Sequence, residues 1–197
     1  MFTLKRKSSL VVIVLLIAGA LLIAYGSWQV IHSKTAQAKA LDIAKSKTQF
    51  GLEKVAPTQE FPEVIEEGEV FGILQIPQLE AELPIIEGTG DKELEQGVGH
   101  FIGTALPGLG DQIVLSGHRD TVFQHLGDLV IGDQIIFEMH NGTFTYEVKS
   151  TDIVDADDRT VIRTTAPNEV LTLTTCYPFH FVGNAPERYI VYAEPVL

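Results

Sequence analysis

The chain has 197 residues, 45% of them hydrophobic, with 26 acidic side chains against 14 basic ones and a formal charge of −12. That length holds one domain of ordinary size plus an appendage, and the charge is uneven: from Val55 onward six Lys/Arg face 24 Asp/Glu, a formal −18. Such a surface repels phosphates and argues against nucleic-acid binding, and a single cysteine excludes an internal disulfide and a multi-cysteine metal site.

Ser8 to Ile31 contains no charged residue and is mostly Leu, Val, Ile and Ala. Twenty-four residues at ~1.5 Å each exceed the ~30 Å hydrocarbon core, so the segment is predicted to span a membrane with some tilt. Lys5, Arg6 and Lys7 precede it and predict a cytoplasmic N-terminus, with Tyr25 and Trp28 at the outer interface. Ala36-Gln37-Ala38 resembles a signal-peptidase site. However, the apolar run is longer than the ~7–15 residues of a signal h-region, so a retained single-pass anchor is expected.

Residues 1–31 are therefore read as cytoplasmic tip and anchor, and 32–69 as juxtamembrane stalk and linker. His32 to Thr48 is rich in helix formers but has no strong apolar face. Phe50 to Gly68 mixes Gly, Pro and acidic residues as a linker does. A folded domain is expected over 70–197.

Within that domain the pattern is mostly strand. Val70–Ile76 ends at Pro77. Ala81–Ile86 contains Pro84, which suggests an edge strand. Asp91–Glu95 reads as a short helix ended by Gly97, Gln112–Ser116 as a strand, and Thr121–Leu126 as a helical turn or two. Gln134–His140 and Thr143–Ser150 alternate and are joined by Asn141-Gly142, a hairpin signal. Val170–Cys176 and Arg188–Ala193 close the series. Many short strands with Gly/Pro-rich turns predict an all-β closed barrel or sandwich.

Cys176 ends one of those strands, in a domain expected outside the cytoplasm, where an unpaired thiol is either inert and buried or a nucleophile. A nucleophilic thiol needs a base or a neighbouring positive charge. Six histidines are available. His118 differs from His32, His100, His125, His140 and His180 in following a strand through one glycine, at a strand end with backbone room for a ligand. Acyl transfer also needs a donor for a developing oxyanion. Arg188 begins the strand after the Cys loop, and antiparallel pairing would bring it to the same rim as Cys176. Arg119, Arg159 and Arg163 are rivals.

Ser116-Gly-His118-Arg-Asp120, Leu171-Thr-Leu-Thr-Thr-Cys176 and Glu187-Arg188-Tyr-Ile-Val191 closely resemble the three signature segments of sortases, the cysteine transpeptidases that attach surface proteins to the Gram-positive cell wall. The resemblance covers about Val70 to Leu197. It implies an eight-stranded β-barrel and a catalytic triad of His118, Cys176 and Arg188. It also implies cleavage of an LPxTG-like sorting signal after Thr through a Cys thioacyl intermediate. The partners implied are secreted proteins carrying that signal and an amine of the cell-wall precursor, lipid II or a peptidoglycan stem peptide. The GHRDT segment and compact length look most like class D, with class E a near neighbour. No cofactor or metal is expected: the acidic cluster of the class A calcium site would fall between Phe101 and Gln112, which offers only Asp111. The alternatives are an L,D-transpeptidase, whose signature places His-Gly immediately before the Cys, and a non-catalytic anchored scaffold with an inert Cys176.

Overall fold

The computed structural model describes residues 3–52, 64–181 and 183–196. Helix α1 spans Thr3–Leu52. From Val11 it carries the one stretch among the described residues that is long and apolar enough to cross a membrane. Its Leu15, Leu16, Leu22 and Ile23 are exposed, Leu22 to 73%. A helix that presents large apolar side chains on its outside is accommodated by lipid rather than by water, which marks the chain as a single-pass membrane protein.

The chain divides into two compact units after Ala36. The second unit, 37–197, contains the end of α1 and a closed barrel of eight strands. The strands are β1 (Val70–Ile76), β2 (Ala81–Glu87), β3 (Val98–His100), β4 (Gln112–Ser116), β5 (Gln134–Met139), β6 (Gly142–Asp155), β7 (Val170–Tyr177) and β8 (Glu187–Pro195). Around the barrel they run β1-β2-β3-β4-β7-β8-β6-β5. β2/β3 and β4/β7 are parallel and all other neighbours antiparallel. A parallel pair needs a crossover. Helix α2 (Asp91–Gln96) supplies it between β2 and β3, and the β5/β6 hairpin lies within the one between β4 and β7.

Strand periodicity explains the core. Ile113 and Leu115, Ile135 and Phe137, Leu171 and Leu173, and Val191 and Ala193 alternate into the barrel and are fully buried. Burying one such Leu or Ile side chain stabilises the fold by about 1.5–3 kcal/mol. Tyr146 joins this core, and burial, then its bond to Glu169, raises its hydroxyl above the ordinary tyrosine range.

Four local expectations change. Three-residue β3 carries too short a pattern to be read as a strand. Its Gly99 exists because a Cβ there would lie 2.4 Å from the Gly88 carbonyl oxygen. Strand β6 runs past Ser150 to Asp155, with a register shift between Val148 and Ser150. The hairpin closes over His140 and Asn141, since Met139 pairs with Gly142. Pro84 is not on an edge strand, because β2 pairs on both sides. It lies just before the segment β3 covers, Ile85–Glu87, so its missing N–H interrupts no bond to β3.

The end of α1 packs on the barrel through small side chains. Ala40 and Ala44 are buried with Val70, Ile73 and Ile86. Lys45 and Lys47 reach Glu82 and Glu69 at 2.7 and 2.6 Å, exposed pairs worth at most about 1 kcal/mol each. Packing at alanine is close, so a larger side chain must displace the helix. Ala44→Leu is expected to destabilise the second unit by about 1–3 kcal/mol, which lowers Tm by roughly 2–4 °C per kcal/mol. Thermal unfolding followed on the barrel would show it, and an unchanged Tm would mean that the helix does not contribute to barrel stability.

Candidate active site

The register of the last two strands builds the site. In β7/β8, Cys176 lies directly opposite Arg188. Residues so paired have Cβ atoms about 4.5–5.5 Å apart on one face of the sheet. Leu171, Leu173, Val191 and Ala193 point into the barrel. The alternating Thr172, Thr174, Cys176, Arg188 and Ile190 therefore face outward.

His118 reaches the same place from β4. Parallel pairing sets Ser116 beside Thr174. Beyond the strand, the Gly117 N–H donates to the Thr174 carbonyl at 3.1 Å, and the Thr175 hydroxyl donates to the Gly117 carbonyl at 2.7 Å. The backbone preceding His118 is thus tied to the residues preceding Cys176. The His118 carbonyl then accepts from the Phe123 N–H at 3.0 Å, which folds the chain back. Gly117 is required by that fold rather than by a ligand: a Cβ there would meet the Phe123 and Val122 side chains at 2.6 and 2.7 Å.

His118, Cys176 and Arg188 line one groove of about 430 Å³. Its floor is the outer face of β4, β7 and β8. One wall is the β6–β7 loop, through Arg159, Val161 and Ile162, and the other includes Leu94 and Phe101. The thiol of Cys176 is free and half-buried. The Arg188 Nη1 donates to the carbonyls of Glu187 at 2.9 Å and Ala185 at 3.3 Å, which aligns the guanidinium along the rim. A thiol, an imidazole and a guanidinium beside one open groove form a set suited to acyl transfer.

The rival residues are engaged differently. Arg119 Nη2 donates to Phe181 and Gly183 carbonyls at 2.8 and 2.9 Å, tying the His118 segment to the β7–β8 loop. Arg159 lines the groove, and Arg163 lines a neighbouring hollow. His100 is buried: its Nδ1 meets Glu87 at 2.6 Å and its Nε2 the Ala105 carbonyl at 3.1 Å. His125 pairs with Asp128 at 3.2 Å in the open. His32 lies beside Trp28 on α1 with the two rings tilted, His140 occupies the hairpin turn, and His180 is exposed.

Sequence reading missed the residues that hold the walls. Asp111 accepts from the Gln112, Thr165 and Ala166 N–H groups at 2.8, 2.6 and 3.1 Å and from the Thr164 hydroxyl. Gln112, only 4% exposed, bonds the loop at Val161 and Arg163. Glu169 accepts from the Gly108 and Gly110 N–H groups. Among the described residues no three His, Cys, Asp or Glu side chains gather into a metal-binding group.

Residues 74–196 match the sortase domain family. Sortase D of Bacillus subtilis (strain 168) is 44% identical over 188 residues, covering 91% of this chain and 94% of that protein. Sortase A of Bacillus anthracis is 26% identical over 206 residues, covering 98% and 96%. The solved Sortase D5 transpeptidase of Clostridium perfringens superposes with a TM-score of 0.71 at 26% identity, over 83% of this chain and 99% of that one.

The Asp111 anchor titrates. The N–H of Thr165, then that of Gln112, holds its carboxyl down at about 2, below the ordinary 3.8. A depressed carboxyl stabilises the fold fully above its unfolded value and loses that contribution as pH falls through the folded one. The stability difference between wild type and Asp111→Asn should therefore be constant above about pH 4 and shrink towards pH 2. Denaturant unfolding across that range would read it, and a gap that does not change with pH would show that the carboxylate charge contributes nothing.

Proposed function

Because the chain belongs to the sortase family, and its likeness to Sortase D supports class D, we propose that Cys176 is the nucleophile, His118 the general acid and base, and Arg188 the oxyanion donor. The enzyme is a transpeptidase acting on cell-wall sorting substrates. The finer reading concerns the bond cut and the residues that cut it. The observation that carries it is the pairing of Cys176 with Arg188 at one strand end, with His118 lining the same groove.

In the first step the Cys176 thiolate attacks the Thr carbonyl carbon of an LPxTG-like peptide, forming a C–S bond. The negative charge that develops on the carbonyl oxygen is met by the Arg188 fork. His118, as imidazolium, gives its proton to the departing glycine nitrogen, the C–N bond breaks, and the thioester remains. In the second step an amine of lipid II or of a stem peptide attacks that thioester. Now neutral, His118 takes the amine proton, and the C–S bond breaks to return the thiolate. The secreted protein is then joined to the wall precursor by a new amide.

The catalytic unit of this reading is the barrel, 70–197, with 32–69 as stalk and linker and 1–31 as tip and anchor. Lys5, Arg6 and Lys7 before the apolar segment put residues 1–7 in the cytoplasm and the barrel outside, where secreted substrates and wall precursors meet. Added protease should degrade the barrel on intact protoplasts, and full protection would reverse that orientation.

Cys176→Ala is expected to abolish cleavage and transpeptidation of a fluorescent LPxTG peptide while the barrel stays folded. His118→Ala and Arg188→Ala should each lower turnover by on the order of a hundredfold or more. Arg188→Lys should not restore it fully, since an ammonium lacks the fork. Were Arg119→Ala crippling and Arg188→Ala mild, the cation would be wrongly assigned.

A further inference from the structure

Gln112 begins β4, far along that strand from His118 and on the face away from the barrel core. It is almost wholly buried, and its carboxamide makes three bonds that leave only one orientation open. Its Nε2 donates to the Val161 carbonyl at 2.8 Å and to the Thr172 hydroxyl at 2.9 Å. Its Oε1 accepts from the Arg163 N–H at 2.8 Å. An exchanged amide would set nitrogen against that N–H and oxygen against the carbonyl, so the network itself fixes the assignment.

The two loop bonds flank Ile162. One side chain thereby pairs with a carbonyl and an N–H two residues apart, as a neighbouring strand would. Val161 and Ile162 line the same groove as Cys176 and His118. Around them, Asp111 fastens only 164–166, and the Ala156 N–H reaches the Pro186 carbonyl at 2.9 Å. Between these fixed ends, Gln112 is the side chain that ties the middle of the wall to the sheet.

From this we infer that Gln112 is a positioning residue for substrate: it presets the Val161–Ile162 wall of the groove that holds the peptide beside Cys176. The inference rests on the proposed peptide-cleaving function. It implies that Gln112 acts on binding and leaves the reacting groups at the strand end alone. A loop that must be ordered afresh in each complex lowers affinity, so loss of the clamp belongs in KM.

The test uses the full-length protein in detergent. Gln112→Met fills the same volume without hydrogen bonds, and Gln112→Glu removes the donors. For an LPxTG-type peptide, Gln112→Met and Gln112→Glu should raise KM by about tenfold or more, with kcat within about threefold of wild type. Mixed-disulfide formation between Cys176 and a methanethiosulfonate, which releases methanesulfinate, should keep its rate in both variants. Hydrogen exchange, which does not depend on turnover, should speed at the Arg163 amide in Gln112→Met. An unchanged KM, a fall confined to kcat, or an Arg163 amide as protected as in wild type would each overturn the inference. Absence of peptide cleavage by the wild type would instead defeat the functional reading, and the exchange measurement would still decide whether Gln112 holds the wall.

Discussion

The pairing register of β7 against β8 is the constraint from which the site follows. Side chains alternate between faces, so a slip of one residue would turn Cys176 into the barrel and bring Tyr177 opposite Arg188. That slip is opposed from both ends. Towards the barrel centre, Leu171 and Leu173 are fully buried opposite the equally buried Ala193 and Val191, and the slip would turn both leucines outward. At the open end Tyr177, Phe179 and Tyr189 pack together, with ring centroids 5.4–6.1 Å apart. Each such contact is worth about 0.5–1.5 kcal/mol beyond its burial. The thiol and the guanidinium thus sit on a strand pair whose register is set from both ends, and the backbone before His118 is tied to the same strand by the two bonds of Gly117.

The loops that surround the strand end are held by a different device. A loop running over a barrel has backbone N–H and carbonyl groups that need partners. Here acidic and amide side chains supply many of them. Asp111 takes three N–H groups, Glu169 takes those of Gly108 and Gly110, and Gln112 takes one N–H and one carbonyl. A part of the acidic excess is therefore spent within the molecule. The scarce arginines follow the same logic: Arg119 and Arg188 both donate to carbonyls of the β7–β8 segment.

Much of the barrel was legible because β-strands announce themselves by alternation. Gln134–Met139, Val170–Cys176 and the segment after Arg188 carry a buried residue at every second position. The end of β6 does not. Ser150–Val154 is mostly exposed on both faces beyond the register shift, so no period survives there. The last turns of α1 were hard to read for the opposite reason. The buried face is Ala40, Ala44 and Thr48, a stripe of small residues that carries little hydrophobic signal.

Of the site, Cys176 and Arg188 were legible from strand ends, and His118 from its position past β4. Asp111, Gln112 and Glu169 were not, because their partners lie about 50 to 60 residues away in sequence, and an ordinary polar residue gives no sign of a long-range bond. Arg119 had the same difficulty, since its role depends on how the β7–β8 loop curls back. Gly117 was read as making room for a ligand. The room is taken by Phe123 and Val122, a packing fact that local sequence does not carry.

The covalent intermediate is the most direct test of Cys176 as the nucleophile. The protein would be mixed with an LPxTG-type peptide without added amine, quenched in acid within a turnover, and mapped by mass spectrometry. The account predicts one adduct, the peptide's N-terminal fragment ending at Thr, joined as a thioester to Cys176 and released by hydroxylamine. Turnover with no adduct under single-turnover quenching, or an adduct on any other residue, would contradict it.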